Sequence, residues 1–296
     1  MHVPRSAPAA ASVPAPLLVF GGIVSVQFGG ALAATLVPEI GAGGWVLLRI
    51  GFAAVILFAV ARPRLRGHNR QAWVTVVVFG IALGLMNWSF YGSLAYLPLG
   101  VAVTVEFLGP LVLTTVLSRR PVDFVAVAAA AAGVVLISEA LTVPWADLSW
   151  LGLGLAAMAG VCWAAYILLS GRTGAAFPGL DGLAIALVVS TFVALPAGLL
   201  SADLWTIEHV VKGLGLAVLS SMLPYSFELL ALRRMAASVM GILLSIEPAM
   251  AALAGLIVLG QRLDTLQLVG LVLVVLASAI VMGVKRPEEP GRIEAT

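Results

Sequence analysis

Ten apolar runs of 18 to 24 residues, each separated from the next by a short break, dominate this chain and restrict it to one kind of solvent. They lie at 17–37, 44–61, 72–95, 98–118, 122–141, 150–171, 180–200, 210–232, 237–259 and 264–284. An α-helix rises 1.5 Å per residue, so about 20 residues cross a hydrocarbon core of about 30 Å. With 61% apolar and only 10% charged residues and a mean hydropathy of +1.12, there is too little polar surface to cover 296 residues in water. A water-soluble enzyme is excluded, and the expected fold class is all-α integral membrane, with the lipid bilayer as its partner. The net charge of +2 does not point to nucleic acid, because the basic residues sit in short loops between apolar runs. Cys162 is the only cysteine, and His2, His68 and His209 are far apart, so no metal or other cofactor is expected.

Residues 1–16 are rich in Pro, Ala and Ser and are expected to form a disordered cytoplasmic tail; 285–296 form a second tail. Arg5, the run from Leu17 and Ala31-Leu32-Ala33 follow the order of a signal peptide. That run continues to about Val37 and further apolar runs follow, so it reads as an uncleaved first span. Sidedness follows from Lys and Arg. With ten crossings and the N-terminus inside, thirteen of the sixteen basic residues face the cytoplasm: Arg5, Arg62, Arg64, Arg66, Arg70, Arg119, Arg120, Arg172, Arg233, Arg234, Lys285, Arg286 and Arg292. Lys212 and Arg262 face outward and Arg49 lies within the second span. Both termini are therefore expected in the cytoplasm, and the protein in the plasma (inner) membrane.

Gly100, Glu106 and Asp123 each have an identical residue 141 positions later, at Gly241, Glu247 and Asp264. Three polar landmarks at one offset suggest two five-helix repeats, 17–141 and 150–284. An odd number of crossings inverts the second copy, which is the inverted-repeat plan of many transporters, with a substrate path between the halves.

Four ionisable residues fall inside the spans: Arg49, Glu106, Glu228 and Glu247. Each charge facing lipid at mid-bilayer would cost on the order of 3 kcal/mol, so they must face protein or water. Arg49 fits either a buried ion pair with one of the glutamates or a site for a substrate carboxylate. Glu106 and Glu247 fit helix–helix hydrogen bonding or, given their repetition, a role in the pathway. Prolines stand close by: Pro110 four after Glu106, Pro248 directly after Glu247, and Pro224 four before Glu228. Each lacks an N–H and frees a carbonyl one turn earlier, which makes these positions candidate helix breaks, although membrane helices also simply tolerate proline. Asn87 and Tyr91, Trp163 and Tyr166, and Tyr225 and Glu228 are pairs three or four apart on shared helix faces; Gln27, Ser221 and Ser226 add hydrogen-bonding capacity. The candidate substrate-binding set is Gln27, Arg49, Asn87, Tyr91, Glu106, Trp163, Tyr166, Tyr225, Glu228 and Glu247, with Glu106 and Glu247 as proton-coupling candidates.

"QFGGALA" at 27–33, "LLRIGFAAVIL" at 47–57, "GLMNWSFYGSLAYLPLGVAVTVEFLGPL" at 84–111, "SRRPVDF" at 118–124, "LPYSFELLALRRM" at 223–235 and "SIEPAMAALAGLIVLGQ" at 245–261 resemble the EamA-type members of the drug/metabolite transporter superfamily, and most of all its threonine/homoserine exporters. The resemblance spans nearly all of 17–284. It implies ten helices in an inverted five-plus-five arrangement around a central cavity, and efflux of small amino acids in exchange for protons. Two departures stand out. Gln261 stands where the superfamily commonly has a glutamate, and Arg49 has no counterpart in the second half, where Ser190 lies 141 residues on.

A zwitterionic amino acid needs a cationic partner for its carboxylate and an anionic or carbonyl partner for its ammonium. Arg49, the amides of Gln27 and Asn87, and the glutamates supply those types. At least one of Glu106 and Glu247 is expected to alternate between proton and substrate ammonium as the two halves rock about a fixed site. The same architecture would serve an exporter of other metabolites or cationic drugs, with glutamates binding the cation and aromatics clamping it. A membrane-embedded enzyme lacks support: there is no GxGD-type aspartate pair, no HExxH and no paired Ser/His setting in the spans. A passive channel is disfavoured by the repeat, and without a GxxxxGK[ST] loop no ATP motor is encoded. The assembly is expected to be a monomer or homodimer.

Overall fold

The computed structural model describes residues 13–118, 121–137, 149–232, 234–235, 243–244 and 246–283. Residues 1–12 and the tail 285–296 lie outside the described residues, as do Arg119, Arg120, Arg233, Gly241, the end of the expected span 122–141 and the start of 237–259. Among the described residues all regular structure is helical. The helices are α1 (Ala15–Ala61), α2 (Arg70–Ser93), α3 (Leu99–Ser118), α4 (Pro121–Ile137), α5 (Trp150–Ala176), α6 (Asp181–Leu199), α7 (Ile207–Leu232), α8 (Glu247–Leu259) and α9 (Thr265–Gly283).

α1 has 47 residues, which at 1.5 Å each is about 70 Å of helix, more than twice a hydrocarbon core. It is not one rod. Ile40 (φ −133°, ψ 16°) and Gly41 (φ 70°, ψ 163°) leave helical geometry two residues after Pro38, and the positive φ is one that glycine adopts without strain. The expected spans 17–37 and 44–61 are thus the two arms of α1, with the break inside the expected gap. Five helices, α1, α2, α5, α6 and α7, are long and apolar enough to cross a membrane; α3, α4, α8 and α9 carry the shorter apolar stretches Leu99–Leu113, Phe124–Gly133, Glu247–Leu259 and Thr265–Ala277. Length and apolarity therefore give fewer spans than the ten read from hydropathy. The shortfall falls where a break joins two arms into one helix and where the described part of a helix is short.

The solvent preference of a soluble protein is inverted. Val55, Phe124, Val161 and Phe192 are 67%, 61%, 69% and 68% exposed, whereas Arg49, Glu106, Glu228 and Glu247 are all buried. An apolar exterior over a charged interior suits a bundle whose surroundings are lipid. Helices distant in sequence make the interior: α2 packs on α5 and α6, α4 on α9, α1 on α6 and α7, and α3 on α5 and α8.

Glycine sets how close some of these helices come. A Cβ on Gly109 of α3 would run into the Gly160 carbonyl of α5, and one on Gly160 would stand 2.5 Å from the Glu106 carbonyl. The α3–α5 crossing therefore lies at Glu106, which fixes where that carboxyl sits. In lipid there is little hydrophobic drive between helices, so close van der Waals approach of this kind carries much of the association. At the break in α1, Glu39 ties to the start of α7, with its Oε2 2.9 Å from His209 Nε2 and 3.7 Å from Lys212 Nζ.

Gly160→Ala should lower the apparent melting midpoint in detergent, because an overpacking cost of about 1–3 kcal/mol is set against a gain in helix propensity of about 1 kcal/mol. Gly154→Ala on the same helix has nothing within 4 Å of the new Cβ and should leave the midpoint unchanged or slightly raised. Equal midpoints for the two variants would contradict the crossing geometry.

Candidate functional site

Pro224 has no N–H to donate to the carbonyl four residues before it, that of Ser220. The helix accommodates this by a π-helical turn over Val218–Met222, in which the Leu223 N–H reaches back to the Val218 carbonyl. The freed Ser220 carbonyl accepts instead from Arg49 Nη1 at 2.7 Å, and the same nitrogen donates to Ser221 Oγ at 2.8 Å and Ser220 Oγ at 3.3 Å. Arg49 Nη2 donates to Asn87 Oδ1, which also accepts from the Tyr225 hydroxyl at 3.0 Å. Asn87 is oriented by its own Nδ2, which donates to the Leu83 carbonyl at 2.7 Å. The face of Tyr91, one turn on, covers the guanidinium, with its centroid 4.6 Å from Arg49 Cζ. One residue of α1 is thereby bound to α2 and α7 together.

The surroundings of Arg49 correct one of the two sequence readings. No carboxylate among the described residues forms an ion pair with it; the ion pairs there are those of Glu39 and Glu208 with His209 and Lys212. Its charge is met by neutral dipoles and a ring face, and Arg49 Nε is buried with no hydrogen-bond partner.

The carboxyls gather apart from it. Glu228 Oε2 accepts from the Tyr166 hydroxyl at 2.9 Å, and Glu247 Oε2 accepts a long 3.4 Å bond from Gln27 Nε2. Glu106, Glu228 and Glu247 lie close enough for their charges to repel one another. The rings of Tyr166 and Tyr225 stand 6.0 Å apart, so one tyrosine bonded to the acidic group lies beside one bonded to the Arg49 group. The interior thus has a basic pole and an acidic pole joined by two phenols.

All ten expected substrate-binding residues are buried. Trp163 packs against Phe107 with ring centroids 5.8 Å apart, in the aromatic layer on α3 and α5. Pro110 lies inside α3 as expected, and the carbonyl it deprives of a partner, that of Glu106, is the one met by the bare Cα of Gly160. Pro248 occupies the opening turn of α8, directly after Glu247, and the turn at Ile246 separates that helix from the helical residues Leu243 and Leu244. Glu247 accordingly sits at a helix N-terminus, where the helix dipole favours a negative charge, whereas Glu106 sits in mid-helix. Asp264 caps α9, accepting from the Gln267 N–H at 2.8 Å, so the match at this position is structural; the side chain of Asp123 lies outside the described residues. Gln261 accepts from the Leu99 N–H at 3.2 Å and caps the start of α3, a task a neutral amide performs. The residue missed by sequence reasoning is Ser220, and its signal was present: it stands four before Pro224.

A model of the EamA-like transporter family matches residues 150–283. The threonine/homoserine exporter RhtA of Escherichia coli (strain K12) is 40% identical over 266 residues, covering 88% of this chain and 89% of that protein. The chain belongs to the EamA-like transporter family. The RhtA protein of Salmonella typhimurium (strain LT2) is 39% identical over the same 88% of the chain. A solved crystal structure of a protein only 18% identical shares the fold, with a TM-score of 0.65 over 90% of this chain and 96% of that one. This EamA family member is a multi-pass membrane protein, and its relatives are transporters.

Asn87→Leu removes the acceptor of both Arg49 and Tyr225 and should cost about 1.5–3 kcal/mol, against about 1 kcal/mol for Tyr225→Phe. In the double variant the tyrosine change should add less than it does alone, because its partner is already gone. Additive shifts in the detergent melting midpoint would show that the two side chains do not share this acceptor.

Proposed function

We propose that the protein exports small amino acids of the threonine/homoserine type across the plasma membrane by alternating access, coupled to protons. The observation that carries the reading is the 40% identity to a threonine/homoserine exporter over 88% of the chain, and the two-pole interior gives it a chemistry. A zwitterion matches a buried cation at one end and carboxyls at the other. Arg49 with Asn87 and Tyr91 forms the carboxylate end; Glu228 and Glu247 with Tyr166 and Gln27 form the ammonium end. Glu106 and Glu247 are the proton-coupling residues, at least one of them carrying a proton when it does not face the ammonium.

In this reading ten spans form two inverted repeats, 17–141 and 150–284, with both termini in the cytoplasm and with lipid, substrate and protons as partners of a monomer or homodimer. α7 with its π turn and α8 opening on Pro248 supply irregular backbone next to the site, where polar solutes meet carbonyls and amides in transporters. Export of cationic drugs is the weaker alternative, because Arg49 would repel a cation lacking a carboxylate.

Labelled threonine taken up by inside-out vesicles tests the coupling. Uptake driven by an imposed pH gradient should be lost in Glu106→Gln or Glu247→Gln, and full retention in both would dispose of proton coupling through these groups. In cells, overproduction should protect against excess homoserine or threonine and leave dye sensitivity unchanged; protection against dyes alone would favour the drug reading.

A further inference from the structure

Arg49 is a buried cation that the protein solvates and does not neutralise. Ser220 O, Ser220 Oγ, Ser221 Oγ and Asn87 Oδ1 are neutral acceptors, and Ser220 Oγ and Asn87 are held in turn by the Leu216 and Leu83 carbonyls. All the bonds are on the Nη nitrogens. Nε, equally shut off from solvent, has no partner. A buried donor left unmade is costly, and a guanidinium presents Nε and a neighbouring Nη hydrogen as a two-pronged edge that fits a carboxylate with two parallel bonds.

We propose that this Nε edge docks the α-carboxylate of the transported amino acid, and that the π turn at Ser220–Ser221, created by Pro224, is the positioning element that turns the edge toward it. The inference rests on the export reading and deepens it. The Ser220 carbonyl and Ser221 hydroxyl hold Nη1 from α7, Asn87 holds Nη2 from α2, and the Tyr91 ring limits tilt from one face. With the plane fixed on those sides, the unpartnered Nε N–H is presented in one orientation. Pro224 supports the arrangement because any other residue there would offer its N–H to the Ser220 carbonyl, which would then be shared with Arg49. Recognition is then of the carboxylate itself, so an amino alcohol with the same side chain lacks the group that Arg49 binds.

The test compares threonine with threoninol, in which the carboxylate is reduced to an alcohol, on the purified full chain in lipid nanodiscs and in inside-out vesicles. In the wild type, threonine should bind and compete at least about tenfold better than threoninol, the loss expected for a charge-assisted bond. Arg49→Lys keeps the charge but loses the two-pronged edge, and should weaken threonine about tenfold while leaving the weak threoninol affinity where it was. Pro224→Ala and Ser221→Ala leave Arg49 in place and should raise the half-saturation concentration for threonine severalfold with little change in maximal rate. A purely structural role would move both ligands and the melting midpoint together in every variant, and would overturn the proposal. So would equal affinity of the wild type for threonine and threoninol, or equal stabilisation by chloride. If the vesicles export neither threonine nor homoserine, the export reading fails. Thermal stabilisation by a panel of α-amino acids against their amino alcohols still decides the inference: a carboxylate-dependent response in the wild type that Arg49→Lys loses upholds it, and no such response defeats it.

Discussion

A guanidinium in the middle of a helical bundle must be solvated by the bundle itself, and the arrangement of α1, α2 and α7 follows from how that is done for Arg49. Its Nη1 needs a strong acceptor, and a helix carbonyl relieved of its own N–H partner is a better one than a carbonyl already accepting along the helix. Proline at 224 releases one, the π turn brings the Ser221 hydroxyl in beside it, and Asn87 supplies the next. The same amide receives the Tyr225 hydroxyl, so a single acceptor oxygen links all three helices. Removing any of these groups would leave charged or polar atoms buried without partners, where the loss exceeds what the bond contributed.

The second constraint is steric and acts on α3 and α5. The carbonyl of Glu106, deprived of its helical donor by Pro110, lies against bare glycine at 160, and Gly109 answers from the other side. The proline and the glycine crossing coincide, so the Glu106 carboxyl is carried on a helical segment that lacks one backbone hydrogen bond and is tightly held by its neighbour.

Much of this was legible in the sequence. Apolar runs of the right length gave most helix positions among the described residues to within a few residues, because lipid demands both length and backbone self-satisfaction, but they could not show that 17–37 and 44–61 continue as one broken helix. The charged and aromatic residues singled out on shared helix faces all lie in the interior, since their cost in lipid admits no other place. What periodicity could not give was partner choice. Arg49 facing glutamates is the expected pairing by charge, but acceptors freed by a proline defect reach it first, and no count of charges reveals which helix supplies them. Glu106 and Glu247, identical at a fixed offset, look equivalent in sequence and differ in three dimensions because Pro248 opens α8 while Pro110 lies within α3.

If the chain exports amino acids as proposed, that inequality bears on how it holds an unsymmetrical solute. An amino acid has one cationic and one anionic end, and a site with true twofold symmetry would present the same group to both. Here Arg49 has Ser190, not a second arginine, at the offset position, and no carboxylate among the described residues forms an ion pair with it. Tyr225 bonds toward the Arg49 group and Tyr166 toward Glu228, so the adjacent phenols point their hydroxyls to opposite poles. Whatever repetition the offset of 141 reflects, the side-chain pairings it would relate are unequal, and that inequality gives the interior a direction. Under the proposed export of amino acids, a zwitterion would have one orientation in which both ends are met, and in the reverse orientation each end would face a like charge.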